Sequence, residues 1–209
     1  MAITNFVCSA DGGLYGESGT YSVARSTCNT LYSSDRYSIG QAQPASLIYY
    51  AYRMFLKFNT SSLAGAVIKQ VNLKLVAVEN NSTTDFDVVI KKADWSAYDP
   101  ASDANKDNIY DLILSSDADS NIWKNTSDIS VNTQYASGNL NTAWINKAGY
   151  TYYGLISSRD ISATAPRNDV GGGQENIRIA SSIHATTAYR PILSVEWEML
   201  SSIQRIMIF

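Results

Sequence analysis

Residues 47–58, LIYYAYRMFLKF, and residues 67–78, VIKQVNLKLVAV, decide the fold class of this chain. In the first stretch, an unbroken series of aromatic and apolar side chains shares the even positions: Tyr50, Tyr52, Met54, Leu56 and Phe58. The second places apolar side chains at odd positions: Val71, Leu73, Leu75 and Ala77. A period of two is typical of β-strands that bury one face. The two stretches therefore predict two strands, linked by the turn-forming run NTSSLAG at 59–65.

Shorter stretches on the C-terminal side repeat this pattern. Residues 85–93, 150–157, 176–180 and 192–197 each predict a strand, and turn-forming residues such as NNST at 80–83 separate them. About eight short strands with turn-rich links predict an all-β fold, an antiparallel β-sandwich of the jelly-roll type.

Three regions depart from the pattern. Residues 21–26 predict a short strand, residues 94–139 predict largely irregular structure, and residues 139–147 predict one or two helical turns. The core is expected to contain Phe55 or the residues that share its face of the strand. We also expect these residues in the core: Leu73, Leu75, Val88, Ile90, Ile156, Ile179 and Leu193.

The composition is polar but weakly charged. Only 17% of the 209 residues are charged, below the ~25% of a typical globular domain, and the formal net charge is −3. The sequence shows no basic patch for nucleic acid and no run of 18 apolar residues for a membrane span, so we expect neither partner. The 14 tyrosines against 5 phenylalanines suit both β-structure and contact surfaces.

The two cysteines, Cys8 and Cys28, allow either a disulfide or two free thiols. The N-terminal sequence MAITN lacks the basic and apolar regions of a secretory signal, so we expect synthesis in a cytoplasm. A reducing compartment favours the two free thiols.

Four segments resemble DNRLRE-type domains when taken in order. RMFLKFNTSSL at 53–63 resembles the R-x-F-L-x-F-D-x-S-S-L start of these domains, and VIKQVNLKL at 67–75 resembles their next strand. LISSRD at 155–160 and YRPILSVEW at 189–197 resemble their later strands. The resemblance covers roughly residues 10–198. The sequence departs from the pattern at Asn59, where Asp is usual, and in a tail that extends past the normal end of the domain.

This resemblance implies a carbohydrate-binding-module-like jelly roll, closest to versions found in tailed-phage virions. We expect one domain over 1–198 and an apolar C-terminal extension over 199–209. The implied function is that of a non-enzymatic structural accessory protein of a virion: a capsid decoration, head-fibre or tail-attached jelly roll. Its implied partners are capsid or tail subunits and further copies of itself in a homo-oligomer. The alternative is a carbohydrate-binding or adhesion module of a phage or bacterial surface, located outside the cell.

Catalysis finds little support in the sequence. The only histidine, His184, lies in a polar segment without a G-x-S-x-G nucleophile motif, and the acidic residues are scattered through loops. We therefore expect no catalytic residues, no cofactor-binding residues and no enzyme activity.

A weak metal signal lies between 117 and 128. Asp117, Asp119, Asn121 and Asp128 imitate the oxygen ligands of an EF-hand loop. Ile122 stands where that loop requires glycine, and Asp128 replaces the bidentate glutamate. A capped turn is therefore favoured, and a structural calcium ion is the alternative.

Two contact surfaces are also predicted. The apolar tail contains Ile203, Ile206, Ile208 and Phe209, which would dock on another subunit or fold back over the chain's own sheet. Tyr50, Tyr52 and Trp123 are candidates for stacking on a glycan, although core and interface packing is the favoured explanation for such aromatics in a β-fold.

Overall fold

The computed structural model describes residues 1–44, 47–100, 102–116, 121–167 and 173–199. The strands in these ranges are β1 (Ala2–Val7), β2 (Ala10–Ser18), β3 (Thr30–Tyr32), β4 (Arg36–Gln43), β5 (Tyr49–Asn59), β6 (Ala66–Asn80), β7 (Asp87–Lys92), β8 (Asn121–Asn125), β9 (Gln134–Ala136), β10 (Tyr150–Ser157), β11 (Gly173–Ala180) and β12 (Ile192–Met199). The helices are α1 (Tyr21–Ala24), α2 (Lys106–Ser115) and α3 (Ser158–Ile161). Single 3-10 turns lie at Ser61–Leu63, Asp103–Asn105, Thr126–Asp128, Thr142–Trp144 and Thr187–Tyr189.

The strands form one antiparallel sheet that curls around the core. Its order is β1-β12-β6-β11-β4-β5-β10-β7-β8, with β2 beside β5 and β3, and β9 beside β6. The sheet branches at strand β5, which pairs with three other strands. Strand β5 pairs with β2 along one edge, while β4 and β10 divide the other edge between them. The antiparallel all-β class is thus confirmed, and the jelly-roll arrangement stays a prediction.

Most predicted core residues meet inside the curl. One cluster joins side chains from β4, β5, β6, β7, β10, β11 and β12. It includes six of the expected residues, each fully buried: Leu73, Leu75, Val88, Ile90, Ile179 and Leu193. Because strands from distant parts of the sheet contribute to the same cluster, burial of their inner faces explains why the sheet closes on itself.

A second cluster covers the outer side of β5 and β10. It contains Phe55 and Ile156, which were also expected to be buried, together with Trp95 and residues of α2. Consequently β5 is buried on both faces from Arg53 to Leu56, and the prediction of a strand with one buried face is wrong for this central part. The outer layer is supplied by a segment far away in the sequence.

Two helices occupy regions that were predicted otherwise. Residues 94–139 were expected to be largely irregular, but α2 lies within them and buries Ile109, Tyr110 and Ile113 against the sheet. Residues 21–26 were expected to form a strand, but they contain the single helical turn α1, which buries Tyr21 and Ala24 at a spacing of three. Both helices are too short for the 3.6-residue repeat of apolar side chains to stand out in the sequence. At 139–147 only the 3-10 turn Thr142–Trp144 forms.

The packing of α2 on β10 depends on Gly154. A Cβ atom at this position would lie 2.7 Å from Cγ1 and 2.8 Å from Cγ2 of Ile113. We expect Gly154→Ala to lower the free energy of unfolding by about 1–3 kcal/mol, because the helix must move away from the sheet. Gly138→Ala is the matched control, since a Cβ there meets nothing within 4 Å. Urea denaturation measures both, and an equal loss in the two variants would show that the approach of Ile113 to Gly154 does not limit stability.

Candidate functional site

The motif residues of the family resemblance meet in one buried ion pair. Arg53 lies on β5 and Asp160 lies in α3, and both side chains are fully buried. Arg53 Nε donates to Asp160 Oδ2 at 2.8 Å, and Nη2 donates to Oδ1 at 3.1 Å. The remaining donors reach the carbonyl oxygens of Tyr110 and Arg25 at 2.8 and 2.7 Å. Every nitrogen of this guanidinium therefore has a hydrogen-bond partner.

Further side chains complete this network. The Arg53 guanidinium lies 3.6 Å from the centroid of the Tyr110 ring, and Arg25 Nε donates to Asp160 at 3.3 Å. Burial alone would lower the pKa of Arg53, but the Asp160 carboxylate outweighs it and the pKa is raised. A neighbouring buried carboxylate, Glu175, accepts from Gln41 Nε2 at 2.8 Å. These groups hold β4, β5, β11, α2 and α3 together, so their arrangement indicates a structural role.

A tyrosine-lined cleft includes Tyr52, which is adjacent to Arg53 on β5 and faces the opposite side of the strand. Its volume is about 450 Å³, within the ~300–1,000 Å³ typical of small-molecule sites. Its principal lining side chains, which define the tyrosine cleft below, are Tyr15, Tyr32, Tyr52, Arg36, Glu79 and Arg178. Strands β2, β3, β4, β5, β6 and β11 each supply one of them. The cleft therefore exists only after these strands have paired.

The tyrosines support one another. The Tyr15 ring lies 6.0 Å from Tyr32 and 5.8 Å from Tyr52, measured between centroids. The Tyr50 and Tyr52 rings are 6.0 Å apart and nearly parallel, at 4°. Burial raises the pKa of Tyr32 and Tyr52, so their hydroxyls stay protonated at neutral pH. The structure thus brings the predicted pair Tyr50 and Tyr52 together with two tyrosines that the sequence pattern did not single out.

A set of ion pairs forms the rim of the cleft. Arg36 Nε lies 3.1 Å from Asp35 Oδ1, and a second nitrogen of Arg36 contacts Glu79. Arg178 Nη1 lies 3.1 Å from the other oxygen of Glu79. Arg36 lowers the pKa of Asp35. The rim consequently presents two guanidinium groups and two carboxylates, all partly exposed to solvent.

Trp123 does not belong to this surface, which corrects the prediction that placed it with Tyr50 and Tyr52. Its side chain is only 3% exposed and lies in the inner core cluster. The indole Nε1 donates to the carbonyl oxygen of Tyr135 at 3.0 Å. The isolated aromatic in a polar segment is thus a core residue of β8, because the sheet places alternate residues of that strand inward.

Only part of the predicted calcium site lies within the described residues, so this site stays a prediction. Asp117 and Asp119 lie outside the described ranges, Asn121 begins β8, and Asp128 is exposed in a 3-10 turn. The Asn125 side chain caps this turn by accepting from Ser127 N at 3.0 Å. Among the described residues, no three His, Cys, Asp or Glu side chains form a group that could hold a metal ion.

His184 lies in a turn. Its Nδ1 accepts from Thr186 N at 3.1 Å, and its ring packs against Tyr189 with centroids 5.4 Å apart. Both contacts of the imidazole are thus local ones within this turn.

Cys8 and Cys28 are free and buried, as favoured from the sequence. Burial raises the pKa of the Cys28 thiol to about 12, so this thiol remains protonated at neutral pH. Burial also raises the pKa of Cys8 well above its usual value. Neither thiol is therefore poised as a nucleophile.

The predicted assembly residues Ile203, Ile206, Ile208 and Phe209 lie outside the described ranges. The last described residue is Met199 on β12, which pairs with β1. Strand β1 is an edge strand: no strand of the described ranges pairs with its second edge. Its sequence, AITNFV, contains no charged residue and no proline. On its outer face Ile3 is 70% exposed and Val7 is 54% exposed.

None of the helices in the described ranges combines the length and the apolar character needed to cross a membrane. No protein-family model matches the chain, and no curated protein matches its sequence significantly. The sequence motifs and the geometry of β1 and of the tyrosine cleft are therefore the features that bear on function.

Proposed function

We propose that this chain is a non-enzymatic structural accessory protein of a tailed-phage virion, attached to capsid or tail subunits through its β1 edge. The observation that carries the proposal is the state of this edge. Natural edge strands are usually blunted by charges, proline or a covering segment. β1 has no such residue, it exposes Ile3 and Val7, and no described strand covers its outer edge. An open, uncharged edge is suited to strand addition by another chain.

The neighbouring apolar residues extend this surface. Ala2 pairs with Trp197, so Met1 and the exposed Met199 lie at the same end of the sheet. A virion accessory protein needs such a surface for attachment, and the resemblance to phage-type DNRLRE domains supports the same role.

The double variant Ile3→Lys, Val7→Lys tests this proposal. Both side chains are exposed, so the variant is expected to fold normally, while two charges on the edge oppose strand addition. Virions produced from the genome that encodes the chain are purified, and the protein is quantified by mass spectrometry. We expect a fixed number of wild-type copies in each particle and strong depletion of the variant.

The matched control is Val23→Lys, Ile183→Lys, which charges two exposed apolar residues away from β1. We expect this control to join the particle like the wild type. The proposal fails if the wild-type chain is absent from purified virions, or if the β1 variant is incorporated as well as the control.

A second candidate function is a carbohydrate-binding or adhesion module, and the tyrosine cleft favours it. Aromatic rings beside fixed polar groups in a concave site are a typical arrangement for binding small polar ligands. Screening the intact protein on a glycan array tests this candidate. A protein used only for assembly should show no sugar preference.

A further inference from the structure

We infer that the tyrosine cleft binds an uncharged pyranose unit, which stacks on the Tyr52 ring and hydrogen-bonds to the Arg36–Glu79–Arg178 rim. The inference rests on the second candidate function and adds the class of ligand and the role of each wall. Its basis is the rigidity of the tyrosine wall, the charge balance of the rim and the geometry of the rim's donors.

The tyrosine wall is rigid enough for stacking. Tyr52 contacts Tyr15 at a tilt of 55° and stacks on Tyr50 at 4°, so its orientation is fixed from two sides. Tyr32 closes the cleft, and its hydroxyl accepts from Ser38 N at 3.2 Å. A ligand that binds here therefore loses little binding energy to the ordering of side chains. The weakly polar C–H face of a sugar ring matches such an aromatic surface.

The rim supplies hydrogen bonds without net charge. Glu79 joins Arg36 and Arg178 through its two oxygens, and Asp35 provides the second carboxylate. Partly exposed guanidinium N–H groups can donate to sugar hydroxyls, and the carboxylates can accept from them. Because two positive and two negative groups balance, the rim offers no electrostatic gain to an anionic ligand.

Other ligand classes fit this balance less well. The bases of nucleotides and single-stranded nucleic acids stack on aromatic rings too, but their phosphate groups favour a site with an excess of positive charge. A fully apolar ligand would remove water from four charged groups without replacing their hydrogen bonds. An uncharged polyhydroxylated ring meets both the aromatic and the polar requirement.

The experiment is isothermal titration calorimetry of the full chain with two sets of oligosaccharides: uncharged hexose oligosaccharides, and uronic acid or sialylated oligosaccharides of similar length. We expect binding of at least one uncharged oligosaccharide and weaker or no binding of the acidic set. Tyr52→Ala should weaken the binding by about tenfold or more, whereas Tyr52→Phe keeps the ring and most of the affinity. The melting temperature of each variant verifies folding.

Two further variants sharpen the result. Tyr150→Ala removes an exposed tyrosine at the opposite end of β5, about 23 Å from Tyr52 at ~3.3 Å per strand residue, and should leave binding unchanged. Glu79→Gln removes one negative charge from the rim and should increase binding of the acidic oligosaccharides.

Each contrary outcome is distinct. Binding of acidic oligosaccharides in preference to uncharged ones, abolished by Tyr52→Ala, would overturn the inference and leave the second candidate function standing. Binding of uncharged oligosaccharides that Tyr52→Ala does not weaken would place the site elsewhere and overturn the inference. No binding of any oligosaccharide would overturn both, and the proposed virion function would be unaffected.

Discussion

Asp160→Asn is expected to lower the free energy of unfolding by about 3–5 kcal/mol, because it removes the charge that compensates the buried Arg53 guanidinium. Arg53 donates two hydrogen bonds to this carboxylate, and neither group is exposed to solvent. The asparagine oxygen can accept one of these bonds. The asparagine NH2 group, however, would face a guanidinium N–H of Arg53, and both of these groups are donors. Arg25 would lose the ion pair that its Nε makes with this carboxylate at 3.3 Å, although the hydrogen bond from Arg25 Nη2 to the Asp160 backbone carbonyl would remain.

Urea denaturation, followed by circular dichroism, measures this effect. Asp35→Asn is the matched control, since it makes the same chemical change beside an arginine whose pair is exposed to solvent. Its midpoint should stay close to that of the wild type, because exposed ion pairs contribute little. If Asp160→Asn is as mild as the control, the buried network does not hold these elements together.

A double variant separates two explanations of such a loss. Arg53→Met with Asp160→Leu removes both charges and leaves apolar side chains of similar length. We expect it to be more stable than Asp160→Asn, because the uncompensated charge causes most of the destabilisation. A double variant that is less stable than Asp160→Asn would show that the hydrogen bonds to Tyr110 and Arg25 matter more than the charge.

Phe55→Ala is expected to cost about 3–5 kcal/mol. The Phe55 ring is 2% exposed, and it joins β5 to the outer cluster through an edge contact with Trp95 at 4.8 Å between centroids. Its removal leaves a cavity between the sheet and the segment that carries Trp95 and α2. Thermal and urea unfolding should both report the loss, while a loss below about 1 kcal/mol would mean that the outer layer collapses to fill the space.

Gly12 provides a second test of the same packing. A Cβ atom at Gly12 would lie 2.3 and 2.6 Å from two carbons of the Phe55 ring. Gly12→Ala should therefore destabilise the wild type by about 1–3 kcal/mol and have a much smaller effect in the Phe55→Ala background. Additive effects in this double-mutant cycle would contradict the contact.

The sequence predicted the strands best where one face is buried. Leu73, Leu75, Val88 and Ile90 alternate with less apolar or polar neighbours, and all four lie in the inner cluster. The pattern was misleading at 53–56, where α2 and Trp95 cover the outer face of β5. Alternation of apolar and polar residues indicates correctly that a strand buries one face only if no segment from elsewhere in the sequence packs on its other face.

The candidate sites show the same division. Tyr50 and Tyr52 were identifiable because they lie on one strand at a spacing of two, and they do share a face in the structure. Tyr15 and Tyr32 joined them only through the pairing of β2 with β5 and β3. No local signal marks these two tyrosines, since a contact between strands depends on register and not on spacing in the sequence.

The sequence alone thus determined the all-β class and the inner faces of the strands, because hydrophobic alternation is a local property of the chain. Tertiary structure decided what those strands do together. It buried Trp123 and formed the tyrosine cleft from six strands. It also brought Arg53 and Asp160, which are more than a hundred residues apart in the sequence, into one ion pair. Each of these depends on which strands become neighbours, and that choice comes from burying the whole core at once rather than from any single segment.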